Sequence, residues 1–179
     1  MVDPAASRRL MFRGLFFVLC AGIIFINMLP LTTEPRRVPG PDLLFCITAI
    51  WIMRRPRWAP VGLIVLVHLV ADLLFLRPVG LWPAISLLGY EYLRRKSIET
   101  TEIPPLVEFG MAMVLFGGLV MLNAVAHILF GIPHPSFGAS ALHVIVTAVA
   151  YPLVMAFSVY VTRVRRARPS DFDGSGLIS

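Results

Sequence analysis

Charge is scarce in this chain. Asp, Glu, Lys and Arg make up 15% of its 179 residues, where a soluble domain carries about 25%. That shortage excludes an ordinary water-soluble globule. Cysteine is scarcer still: Cys20 and Cys46 both lie in apolar runs, so they act as small hydrophobes, and neither a disulfide nor a metal site is expected. There is no HExxH or CxxC pattern, phosphate-binding glycine loop, nucleophile elbow or pair of catalytic carboxylates. An enzyme is therefore not expected, nor is a cofactor. No small-x-small cleavage site follows the first apolar run, so that run reads as an uncleaved first helix rather than a signal peptide.

Apolar residues are abundant. They supply 58% of the chain, and the mean hydropathy is +0.81. These values describe an integral membrane protein. The formal net charge of +6 does not point to nucleic acid, because the basic residues form short clusters between apolar runs, without interleaved aromatics along one face.

Six apolar segments follow one another. Four are long, at residues 10–29, 60–76, 105–130 and 139–162. Two are short, "PDLLFCITAIWIM" at 41–53 and "GLWPAISLLGYEYL" at 80–93. At ~1.5 Å per residue the long ones can cross a hydrocarbon core of about 30 Å. The short ones reach roughly 20 Å, and basic residues such as Arg54, Arg55, Arg94 and Arg95 at their ends are placed to snorkel toward head groups. If all six segments cross, thirteen of the sixteen Lys and Arg residues fall on one side, and only Arg36, Arg37 and Arg77 on the other. Short loops are where the positive-inside rule applies best. The expectation is an all-α, polytopic bundle of six transmembrane helices, four long and two short. It comprises a cytoplasmic segment 1–9, a membrane domain 10–162 and a cytoplasmic tail 163–179. Prolines punctuate it: Pro30 closes the first helix, Pro41 and the Pro104–Pro105 pair open others, and Pro83 and Pro152 are expected to kink helices.

Ionisable and amide groups within membrane helices are the default functional candidates. His68 and Asp72 lie four apart on one helical face, with Arg77 at the boundary beyond them. Asn123 and His127 repeat that spacing on the segment that also carries Glu108, while Asn27 and His143 are placed on other segments. These groups suit helix-to-helix hydrogen bonds. Spacing between the histidines gives no metal-ligand signature. Gly117, Gly118 and Ala139 lie in small-residue stretches that permit close helix approach, within the bundle or against another membrane protein.

The stretch "PDLLF", followed by "RRPRWAPVGLIVLVHLVADLLFLRPVGLWPAISLLGYEYLRR", resembles the rod shape-determining protein MreD family. The resemblance rests on Pro41 and Asp42 opening the second helix, and on Asp72, Leu73, Pro78, Gly80 and Leu81 in one run. It is strongest from residue 41 to 95. Phe75 and Leu76 depart from the pattern, standing where the family often has small polar residues. The resemblance implies a multi-pass protein of the bacterial inner membrane, with both termini cytoplasmic and no chemistry of its own. Its role would be to scaffold or regulate lateral peptidoglycan synthesis. The implied partners, besides membrane lipids, are an MreC-like bitopic protein, an MreB-like filament, a RodA-like glycosyltransferase and a penicillin-binding transpeptidase. Asp42, Asp72 and the Gly80 turn would shape the partner-facing surface, with Asp72 held by His68 or Arg77 or capping a neighbouring helix. The competing reading is a substrate-binding S-component of a vitamin transporter, whose length and topology are similar.

Overall fold

A computed structural model describes residues 4–29, 39–100, 103–133, 135–162 and 164. Pro30, Arg36, Arg37 and most of the expected C-terminal tail lie outside these residues. Among the described residues all the regular structure is helical: α1 Pro4–Met28, α2 Leu43–Arg54, α3 Val61–Leu74, α4 Leu81–Glu99, α5 Pro105–Leu129 and α6 Phe137–Tyr160.

Local chemistry sets these boundaries. Asp42 caps α2, its carboxylate accepting the Phe45 N–H at 2.8 Å, and Ser136 caps α6 through the Ala139 N–H at 3.3 Å. Pro105 sits in the first turn of α5, where a missing N–H costs nothing. Gly131 ends α5 in the left-handed conformation at φ +64, and the Ile132 N–H reaches back to the His127 carbonyl at 2.8 Å. The same C-terminal wrap closes α3, where the Arg77 N–H bonds the Asp72 carbonyl at 3.0 Å. Here the left-handed position is filled by Leu76, at φ +53. A non-glycine residue is strained there.

Three helices differ in extent from the sequence reading. The first helix begins at Pro4, so the segment expected to precede the membrane domain is mostly helical. α3 is short at 14 residues and α4 runs for 19. The polar turn beyond Leu93 continues α4, helped by Glu91 pairing with Arg94 at 3.4 Å and Arg95 at 3.6 Å. Because α4 starts at Leu81, Pro83 lies in its first turn. Its absent N–H would have had no partner there, so no kink follows. Pro152 does lie inside its helix, α6.

α2 runs through the middle. Every residue from Leu44 to Met53 is buried, and α2 packs against α1, α4 and α6. α3 bridges α1 and α4, and α5 bridges α4 and α6. A helix that is apolar all round belongs in such a centre. α2 meets protein rather than lipid, and its ~18 Å length therefore needs no thinning of the bilayer. By contrast α1, α5 and α6 are long and apolar enough to cross a membrane, yet only 22%, 22% and 17% of their most apolar windows are buried. Their outward apolar faces are suited to membrane lipid.

Contacts at the two ends show successive helices running in alternating directions. At one end the Arg94 guanidinium donates to the carbonyls of Pro56 at 2.6 Å and Ala59 at 2.7 Å, tying α4 to the α2–α3 turn. Ser97 donates to the Met53 carbonyl at 2.7 Å, Arg54 pairs with the buried Glu108 at 3.2 Å, and Phe12 stacks on Trp58 with centroids 3.7 Å apart. Arg54 and Arg94, expected to snorkel, instead bind the bundle together. Their donors satisfy buried acceptors that would otherwise be costly to desolvate.

Gly117 and Gly118 do not mediate close packing within the bundle, since a side-chain carbon added at either would meet nothing within 4 Å. Gly89 has that role. A Cβ there would lie 2.8 Å from Leu119 Cδ1 and 3.1 Å from Leu115 Cδ2, so α4 and α5 approach closely at this point.

Candidate functional site

The end opposite the Arg94 cluster holds a cavity of about 510 Å³. It forms where the last turns of α1, α3 and α5 meet the first turns of α2, α4 and α6, and the segment Pro39 to Asp42 borders it. Three stretches far apart in sequence, each the end of one helix and the start of the next, thus converge on one space.

The α2 side is held by α6. The His143 Nδ1–H donates to the Gly40 carbonyl at 2.9 Å, and the Asp42 N–H donates to Thr147 Oγ1 at 3.0 Å. His143 and Thr147 are four apart, on one face of α6. One carboxylate oxygen of Asp42 serves the helix cap, and the other accepts no bond among the described residues. On α5, the His127 Nδ1–H donates to the Asn123 carbonyl at 2.8 Å. A carbonyl oxygen can only accept, so in His127 and His143 alike the proton sits on Nδ1. The neutral imidazole then presents Nε2 as an acceptor. Neither Nε2 has a partner among the described residues.

The α3 side is different. His68 is buried, its Nε2 3.0 Å from the Tyr90 hydroxyl, and the two rings stack with centroids 5.4 Å apart. Arg77 places its guanidinium 5.2 Å above the Phe75 ring and makes no side-chain hydrogen bond among the described residues. Asp42 and Arg77 border the same cavity as His68.

Asp72 is buried beside the cavity without lining it. Its Oδ2 accepts the N–H of Gly80, the residue that precedes α4, at 3.1 Å. Asp72 therefore bonds neither the His68 ring nor the Arg77 guanidinium. Of the arrangements open to it, the one observed is the bond to the start of the neighbouring helix. Its Oδ1 is buried and unpartnered among the described residues.

The structure thus gathers His68, Arg77, Asn123 and His127 around one cavity, together with Pro41, Asp42, Pro78, Leu81 and Ala139. Leu73 is exposed on the outer face of α3 and does not border it. Sequence reasoning gave Thr147, Tyr90 and Trp82 no part in the site, though the i, i+4 spacing of His143 and Thr147 was a usable signal. Nothing in the sequence pairs Tyr90 with His68. Among the described residues, no group of three or more His, Cys, Asp and Glu side chains is placed to hold a metal ion. The cavity offers binding chemistry: a carboxylate and imidazole acceptors on one wall and a cation on the other.

No family model matches the chain, and neither a curated protein nor a solved structure matches it.

Proposed function

We propose that this chain is an MreD-like, non-enzymatic subunit of the bacterial inner membrane that supports rod shape. It would bind an MreC-like bitopic protein and scaffold the elongation enzymes of lateral peptidoglycan synthesis. On this reading all six helices cross the membrane and both termini are cytoplasmic, which puts the arginine-rich end inside and the cavity on the periplasmic side. The observation that carries the reading is the bond from Gly80 N–H to Asp72. That bond joins two of the residues on which the resemblance rests, and Pro41 and Asp42 border the same cavity as Pro78 and Leu81. That end of the bundle is the proposed receiving surface for the periplasmic partner.

The test is affinity capture of the tagged protein from gently solubilised membranes, with partners identified by mass spectrometry. Recovery of an MreC-like protein with a RodA-like glycosyltransferase and a penicillin-binding transpeptidase is the expected result. The cavity, at about 510 Å³, favours a second reading as the substrate-binding subunit of a small-molecule or vitamin transporter. Capture of an ATPase pair with a coupling membrane protein would select that one and overturn the first.

A further inference from the structure

The polar cavity has an apolar neighbour. A groove of about 440 Å³ runs between α1 and α3, lined by Phe17, Ile24, Met28, Leu66, Val70 and Leu74 among others. The two spaces share the same pair of helices at the same end. Asn27 borders the cavity and Met28 the groove, and likewise Phe75 borders the cavity and Leu74 the groove. The groove residues Phe25, Met28, Leu66, Val70 and Leu74 are exposed on a chain whose long helices turn apolar faces outward.

The cavity's chemistry narrows what can sit beside that groove. Arg77 brings a cation whose guanidinium donors have no hydrogen-bond partner among the described residues. The other wall brings acceptors: the unused oxygen of Asp42 and the Nε2 atoms of His127 and His143. An anionic oxygen group complements the first. A group rich in N–H donors complements the second. A bare anion would leave the acceptors unpaired, and a quaternary ammonium has no N–H to give them.

We propose that this cavity and groove together form a binding site for a membrane lipid with a zwitterionic, primary-ammonium headgroup of the phosphoethanolamine type. The phosphate lies at Arg77, the ammonium lies against Asp42, His127 and His143, and an acyl chain lies in the groove between α1 and α3. The lipid site goes with the scaffold reading, because on the transporter reading a free solute would take the same cavity.

The test uses the full-length protein in nanodiscs made from equal parts of phosphatidylethanolamine, phosphatidylglycerol and phosphatidylcholine with identical acyl chains. Native mass spectrometry then reads the lipid retained after release into detergent. Phosphatidylethanolamine should be retained over both others by about tenfold, the factor that ~1.4 kcal/mol supplies. Arg77→Gln and Asp42→Asn should each remove most of that preference. Asn caps a helix about as well as Asp, so α2 stays anchored, and an unchanged melting temperature verifies it. If Asp42→Asn fails to fold, His143→Gln tests the same wall. Ala21→Phe fills the groove and should lower retention of all three lipids alike. Equal retention of the ethanolamine and choline lipids overturns the proposal. So does a preference that survives the cavity substitutions in folded protein. Displacement of the lipid by soluble O-phosphoethanolamine as readily as by the lipid itself also overturns it, and makes the cavity a site for a free solute.

Discussion

Asp72 Oδ2 accepts the backbone N–H of Gly80 at 3.1 Å, joining the last turn of α3 to the residue that precedes α4. Gly80 is in the left-handed region at φ +86, which L-residues avoid. The two residues act together: the turn needs the glycine, and the buried carboxylate satisfies the N–H that the turn exposes.

Replacing Asp72 by Asn keeps an acceptor oxygen for Gly80, whereas Asp72→Ala leaves that N–H without its partner. The alanine variant should lose about 1–3 kcal/mol, and the asparagine variant clearly less. Gly80→Ala should be destabilised by about 1 kcal/mol or more from backbone strain alone. Thermal unfolding in one detergent, compared across the three variants, checks this. Equal losses for Asp72→Asn and Asp72→Ala would mean that charge, not the hydrogen bond, holds the turn.

Leu76 is strained and has nothing to lose. It sits at φ +53 with 93% of its surface exposed. Leu76→Gly should therefore raise stability by about 1 kcal/mol, the scale of the left-handed penalty. A fall in melting temperature would show that the side chain is held by something outside the chain, such as lipid or a partner.

Among the helix glycines, Gly89 and Gly118 should respond in opposite ways. Gly118→Ala meets open space and should gain up to about 1 kcal/mol from helix propensity. Gly89→Leu would drive a side chain into Leu119 and Leu115 and should cost about 1–3 kcal/mol by overpacking. Shortening the obstacle in the double variant Gly89→Leu/Leu119→Ala should recover part of that loss. Melting temperatures of the single and double variants decide it.

The ion pair between Arg54 and Glu108 is largely buried, the side chains being 10% and 2% exposed. Removing only one partner strands the other, so Glu108→Ala should cost about 3 kcal/mol. The double variant Arg54→Met/Glu108→Leu should be the more stable of the two. If Glu108→Ala unfolds no more easily than the parent, the pair does not join α2 to α5 as the geometry implies.

Much of this fold was legible because the signals are local. Six apolar runs gave six helices, and the Asp42 cap and the proline pair before α5 act within a few residues. The boundaries that moved did so for local reasons too. Charged side chains three and four apart prolonged α4 past its apolar run, and a wrap around Leu76 ended α3 early. The family resemblance drew on the same short-range run, and the Asp72–Gly80 bond spans only eight residues.

Membrane character and the helix order were thus determined by the sequence alone, because hydropathy and capping depend on neighbours along the chain. Tertiary structure decided which polar groups meet. His68 and Asp72 share a helical face, yet rotation and packing send one to Tyr90 and the other to Gly80. It also decided that α2 is sheathed by protein, that Gly89 rather than Gly117 or Gly118 is the close contact, and that histidines from α3, α5 and α6 border one cavity. Those outcomes depend on how each helix is turned about its axis. That angle is set by the summed packing of all its neighbours, which no single segment encodes.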